Sequence, residues 1–382
     1  MNSTFDELGG NSIMAVKLEI DLEKEGIVFD DINIFKNMSI RNIAAKSLTG
    51  TDEVKHDIAS SGTKNHVKVF NSIFFKNCFY NALFTILQTC GYPIDEFIIN
   101  DIIKYNLNEK NILIAEYNEI KGCKEILSNL GVQYKGERSI KDIIDYILNA
   151  LTQDKLILIW VDPYYASIRK DTYQVKHRAH PWVVTRADTI NKFLYIYEHS
   201  NSDSLNYKEQ KVSYEELKAC YESYVNIYQE DLNGFNCYIF TNEFVVSKLN
   251  TEIALKYKEY INLNTETFIN NFKHQILFIN HLSTKILDKG YCLKNEKEII
   301  QTLNDIINTK KIEQYKLVNI LPTEKTSQIL INEIVNKWEL VRSIILRFYF
   351  TQIFNEKKQF VIIEELKNIC KLEEDYMVAL IS

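Results

Sequence analysis

Proline and glycine are scarce in this chain, with 4 and 11 in 382 residues. So few breakers leave room for long regular elements, and helices are expected to dominate at least part of the fold. No apolar run approaches the length of a membrane span. The N-terminus shows no basic stretch followed by an apolar core, so the pattern of a secretory signal peptide is missing. An excess of positive charge is missing too. Lys and Arg number 45 against 51 Asp and Glu, a net charge of -6, which gives no support for nucleic-acid binding. The 7 cysteines, an odd number without Cys-x-x-Cys spacing, fit neither a disulfide framework nor a zinc pattern. They suit a reducing cytoplasm, so a cytoplasmic protein without resident metal, nucleic acid or membrane as partner is expected.

What is present reads as globular protein, 46% hydrophobic and 25% charged, in a length that implies two or three domains. The pattern divides the chain. Residues 1–48 are acidic. Residues 49–65 are polar, with Gly, Ser and Thr, and read as a linker. Residues 66–243 mix helical periodicity with β-branched and aromatic runs, and residues 244–382 are almost purely helical in pattern. The expected class is α+β: a partial helical carrier domain, a catalytic domain and a C-terminal helical bundle packed on it.

Gly9 and Gly10 break structure just before Ser12, which sits at a helix start carried on by Ile13, Met14, Val16, Leu18 and Ile20. A Ser at this place is commonly just a cap. Here its surroundings matter. FDELGGNSIMAVKL resembles the motif of peptidyl carrier domains of nonribosomal peptide synthetases, and EGIVFDDINIFKNMSIRNIAAKSL resembles their later segment. The resemblance implies 4′-phosphopantetheine attached covalently to Ser12. Its partners would be upstream synthetase modules and a phosphopantetheinyl transferase. A phosphodiester there would meet the free amides and dipole of a helix N-terminus. The family's first helix would precede Phe5 and is not in this sequence. Either the chain continues upstream in a longer synthetase or the helix comes from elsewhere.

A second constellation begins at Cys78, which heads the helical pattern CFYNALFTILQTCGY. A helix N-terminus favours a thiolate, the active form of a nucleophilic cysteine. The bland alternative is a small buried hydrophobe, and Cys90, on the apolar face before Gly91, fits that alternative well. Downstream, Leu156 to Val161 is a buried-strand run ending at Asp162. His180 opens a second strand, Asn191 and Lys192 make a turn, and Phe193 to Tyr197 forms a third strand ending at Glu198. His180 as base and Glu198 as its orienting acid would meet across a hairpin, in the Cys, His, acid order of papain-like enzymes.

These pieces are similar to the N-terminal domain of butirosin biosynthesis protein H and its relatives, a papain-like group. The matching strings are the Cys78-led helix, VDPYY, the paired His177 and His180, VVTRAD and YIYEHS. Two departures stand out: Glu198-His199 replaces Asp-Pro, and Arg186-Ala187 replaces Gly-Tyr. The resemblance implies acyl transfer from a carrier thioester through acyl-Cys78 to a small-molecule acceptor, usually an amine. Asn71 and Asn77 are candidates for a second oxyanion donor beside the Cys78 N–H, or else a surface Asn and a cap. Asp162 would orient a histidine or bind the acceptor amine. His177 would line the acceptor pocket or serve the structure. Tyr164 and Tyr165 read as pocket wall or core. Two other readings remain open, a thioesterase or cysteine peptidase-like hydrolase, and an inactive papain-like scaffold or docking module.

The helical tail carries an aromatic stripe (Trp338, Phe348, Tyr349, Phe350, Phe354) that reads as core. His274 and His281 lie two turns apart, too far for a simple metal pair.

Overall fold

The structure is a computed structural model that describes residues 12–25, 67–199, 205–228, 234–241, 251–353 and 356–381. The expected linker at 49–65 and most of the expected carrier segment lie outside the described residues. The chain is mixed helix and sheet, with two antiparallel sheets. It divides into two compact units, and the division does not follow chain order. Residues 67–94 and the described part of 123–241 belong to the first. Residues 12–25, 95–122 and the described part of 251–381 belong to the second.

The first unit is built on six strands: β3 (Tyr134–Glu137), β4 (Leu156–Val161), β5 (His180–Asp188), β6 (Phe193–Glu198), β7 (Lys208–Ser213) and β8 (Cys237–Phe240). They lie in the order β3-β8-β4-β5-β6-β7, antiparallel throughout. The run LILIWV makes the central strand because it is covered on both faces: Ile157, Leu158, Ile159 and Val161 are all fully buried. On one face Ile143 and Ile147 of helix α5 (Ile143–Leu151) and Leu217, Cys220 and Tyr221 of helix α6 (Tyr214–Ile227) pack on Ile157, Ile159 and Val161. On the other, Phe79 of helix α2 (Cys78–Thr89) stacks on Trp160, ring centroids 6.0 Å apart. Each of these aliphatic burials contributes roughly 1.5–3 kcal/mol.

Helix α2 carries a polar ridge as well as an apolar one. Asn77, Asn81, Thr85 and Thr89 recur every fourth residue and so share a face. Asn77 caps the helix by accepting from the Phe79 N–H. Asn81 accepts from Phe75 N–H at 3.2 Å and donates to Ile73 O at 2.8 Å. Thr85 and Thr89 accept from the N–H groups of Phe70 and Lys68. The ridge thereby holds the extended segment 68–75 along the helix, leaving Cys78 at the helix start. A capping box, Ser213 with Glu216, starts α6.

In the second unit, β1 (Asp101–Leu107) and β2 (Leu113–Glu119) form a hairpin among helices. The helices are α1 (Ser12–Lys24), α3 (Asp95–Ile99), α7 (Thr251–Leu263), α8 (Thr265–Lys285), α9 (Lys289–Lys294), α10 (Glu296–Asn319), α11 (Lys325–Thr351) and α12 (Glu356–Ile381). The remaining described helix, α4 (Cys123–Asn129), belongs to the first unit. Helix α8 seals the edge of β1: Asn271 accepts from the Tyr105 N–H at 2.9 Å and donates to Ile103 O at 2.6 Å. His274 donates from Nδ1 to Tyr105 O, which is its structural use. His281 pairs with the Tyr291 hydroxyl at 3.1 Å. Of the aromatic stripe, Trp338, Phe348 and Tyr349 are buried, Phe350 is exposed, and Phe354 lies outside the described residues. No described helix is long and apolar enough to cross a membrane.

Candidate active site

Cys78, His180 and Glu198 come together in the first unit, from a helix start, a strand start and a strand end. The sheet register explains the approach of the last two. Val183 pairs with Tyr197, so Glu198 lies near the beginning of β5, where His180 sits. His180 Nε2 is 2.9 Å from Glu198 Oε1. The Cys78 thiol lies beside the same imidazole, close enough to raise its proton affinity. The structure brings together the three residues that the sequence pattern singled out, with Glu198 beside His180.

The carboxylate is fully buried and densely held. Arg169 Nη1 lies 3.1 Å from Glu198 Oε1, with both side chains fully buried. Trp182 Nε1 donates to Oε2, and the His199 backbone N–H donates to Oε1. Arg169 is in turn gripped by Asp171 through Nε at 2.9 Å and Nη2 at 3.1 Å. Burial alone would raise the Glu198 carboxyl, but the His180 and Arg169 charges overcome it and bring it down to about 2. Burial would lower the His180 ring, yet the Glu198 charge, then Cys78, raises it to about 9. At His199 burial wins: it is the leading cause, the Glu198 charge opposes it, and the His180 and Arg169 charges add to it, taking the ring down to about 3 and leaving it neutral. Its ring packs edge-on against Tyr207, centroids 3.9 Å apart. Tyr207 is buried beside the cluster, and the Glu198 and Cys78 charges add to burial in holding its hydroxyl well above its ordinary value.

The two oxyanion candidates part company. Asn71 is a clamp: its Oδ1 accepts from Tyr207 N–H at 2.8 Å and its Nδ2 donates to Tyr207 O at 3.0 Å. That amide is spent on the backbone, which places it in the structural alternative. Asn77 caps helix α2 through Oδ1, leaving Nδ2 as the amide side that can donate. The Cys78 N–H lies in the first helical turn, where no intrahelical acceptor exists.

Asp162, His177 and Tyr165 form a second group. Asp162 is fully buried and follows Val161, the residue paired with His180. Its oxygens accept from Tyr164 N–H, Arg178 N–H and Ser223 Oγ and contact His177 Nδ1 at 2.6 Å. Burial would raise its carboxyl, but the His177 hydrogen bond first, then those of Ser223, Arg178 and Tyr164, leave it below its ordinary value. Asp162 thus contacts His177 rather than His180 among the described residues. His177 is half exposed and stacks on Tyr164 at 4.2 Å. Tyr164 meets Tyr165 edge-on, and Tyr165 is exposed.

Sequence reasoning missed Arg169, Trp182 and Tyr207. Trp182 was within reach, since it lies two residues from His180 on a strand and so shares its face. Arg169 and Tyr207 sit in irregular segments with no periodicity to place them.

Among the described residues no cluster of three or more His, Cys, Asp and Glu is placed to hold a metal. The fold and site thus define an α+β protein with a buried histidine–glutamate pair behind a helix-start cysteine. Residues 1–46 match the phosphopantetheine attachment site family. A carrier domain of this kind is the site of covalent 4′-phosphopantetheine attachment, and it implies interaction with synthetase modules and a phosphopantetheinyl transferase. No curated protein matches the chain. The residues present fit the group: α1 opens at Ser12, and among the described residues its first turn carries no acidic side chain beside the free N–H groups.

Proposed function

We propose that this chain is a carrier-dependent cysteine acyltransferase of nonribosomal peptide or related secondary-metabolite biosynthesis. In this reading Ser12 is the attachment point, Cys78 the nucleophile, His180 the base and Glu198 its orienting acid. The observation that carries it is the thiol of Cys78 beside an imidazole whose Nε2 lies 2.9 Å from a buried carboxylate. An imidazole raised to about 9 holds a proton at neutral pH and can pass it to a departing group.

The arm supplies the acyl group as a thioester on a flexible tether. Cys78 accepts the acyl group on Sγ, forming a new thioester bond as the old one breaks. His180 holds the thiol proton and delivers it to the departing sulfur. In the second half His180 takes the proton of the acceptor amine as the C–N bond forms, and Cys78 leaves as thiolate. The Cys78 N–H and Asn77 Nδ2 are the donors proposed for the oxyanion, each such contact being worth about 3–4 kcal/mol in the transition state. Tyr164, Tyr165 and His177 are proposed to line the acceptor side. Carrying the thioester on the same chain raises its effective concentration at the cysteine.

Intact-protein mass spectrometry tests the reading. The chain is loaded at Ser12 with an acyl-pantetheine and compared with Cys78→Ala. The expected result is an acyl adduct mapping to Cys78 in the wild type, or discharge of the acyl group there while Cys78→Ala retains it. Amide products identify an acyltransferase, and free acid without amide identifies the hydrolase instead. If both proteins keep the acyl group on Ser12 against a broad panel of amines and water, the enzyme reading falls in favour of a scaffold.

A further inference from the structure

Helix α1, which opens at Ser12, lies against the C-terminal helices of its own unit. Val16 and Ile20, one turn apart, are buried against Leu346 of α11, with Ile13 and Ile300 packed beside them. The adjacent stripe of α1 is acidic, with Glu19 and Glu23 also one turn apart. Arg347, the next residue of α11, takes both: Nη1 lies 3.6 Å from Glu19 Oε1, and Nη2 bonds Glu23 Oε2. Glu19 is almost fully buried, and Lys358 of α12 adds a second positive charge near it. The rest of α1 faces away. Met14 is exposed, and Lys17 and Asp21 are on the open side.

We propose that the face formed by α10, α11 and α12 of the helical unit is a recognition surface for the phosphopantetheine-bearing helix, with Arg347 reading its paired glutamates. The surface matches the helix in both of its properties, an apolar strip opposite Ile13, Val16 and Ile20 and a basic edge opposite Glu19 and Glu23. Such complementarity fixes register, because sliding α1 by one residue along the strip would take the glutamates off Arg347. The grip is also narrow, a single strip and one partly exposed guanidinium, so it suits a helix that docks and releases. Docking sets where on the helical unit the arm begins. The proposal rests on the family match of residues 1–46 and on this packing, and it stands or falls independently of catalysis at Cys78.

Hydrogen exchange of the full chain, read by mass spectrometry over the amides of 13–24, tests it. Arg347→Glu is expected to speed exchange there at least tenfold while the amides of 325–351 keep their protection. Adding Glu19→Lys, Glu23→Lys and Lys358→Glu to Arg347→Glu is expected to restore protection by reversing every sign at the contact. Unchanged exchange in Arg347→Glu would overturn the proposal, as would loss that the fully charge-reversed variant fails to restore. Should Arg347→Glu unfold 325–351 as well, Glu19→Lys/Glu23→Lys, which alters only α1, must show the same release, and protection retained there overturns the proposal.

Discussion

Glu198 shows how much of a site is built to keep one charge in place. A carboxylate so deeply buried would be neutral if left alone, since desolvation penalises the ion. Here His180, Arg169, the Trp182 indole and a backbone N–H surround it and hold it ionised. Its charge is what lifts the imidazole. The proposed activity should therefore have an alkaline limb in kcat/KM near pH 9, where His180 loses its proton. Glu198→Gln, which keeps the shape and removes the charge, should move that limb down by about one pH unit or more toward the ordinary 6.5. A limb that stays put in the variant would mean Glu198 does not set the His180 proton affinity. Stability follows the same signs. The gain from protonated His180 is complete below its ordinary 6.5 and is lost as pH rises through about 9. The gain from Glu198 is present above its ordinary 4.5 and is lost as pH falls through about 2.

Among the elements, the strands that carry the site were legible and the hairpin was not. The runs Leu156–Val161, His180–Asp188 and Phe193–Glu198 announce themselves by continuous or alternating apolar residues bounded by turn residues, and the strands fall there. Helix α2 likewise starts where the periodicity starts. The β1–β2 hairpin has an equally plain strand pattern, but nothing in that pattern names its neighbour. Sequence proximity placed it with the sheet of 66–243, whereas its edge is closed by the amide of Asn271, a residue inside a helix more than 160 positions away. An amide that replaces a missing strand leaves no periodic trace. Asn271→Leu should strip the partners from a buried N–H and a carbonyl, costing about 2–3 kcal/mol in chemical denaturation of the full chain. A loss below about 0.5 kcal/mol would show that the edge is satisfied without it.

At the scale of the molecule, the linear division into carrier, catalytic and helical segments meets a chain that crosses between units. The carrier match at 1–46 and the cysteine–histidine–glutamate order were readable because each is local or sits at an element boundary. The crossings were not, because they depend on contacts between distant segments such as α1 with α11 and the hairpin with α8. A fragment of residues 66–243 keeps the six-stranded sheet but strands 95–122 without its helices, exposing Ile103 and Tyr105, both buried in the whole chain. That fragment is expected to be markedly less soluble than the full chain, judged by the soluble fraction on expression and by light scattering. Equal solubility would show that the hairpin finds cover within the fragment.

The contact between Glu23 and Arg347 spans 324 residues. At ribosomal rates of roughly 5–20 residues per second, α1 leaves the ribosome on the order of a quarter of a minute to a minute before α11 exists. During that interval its apolar strip has no docking partner among the C-terminal helices. For a freshly made molecule the order of events therefore runs backwards along the chain: a helix made early is among the last to reach its native neighbours. A transferase acting during synthesis would meet Ser12 on an undocked helix, and one acting afterwards would meet the docked one.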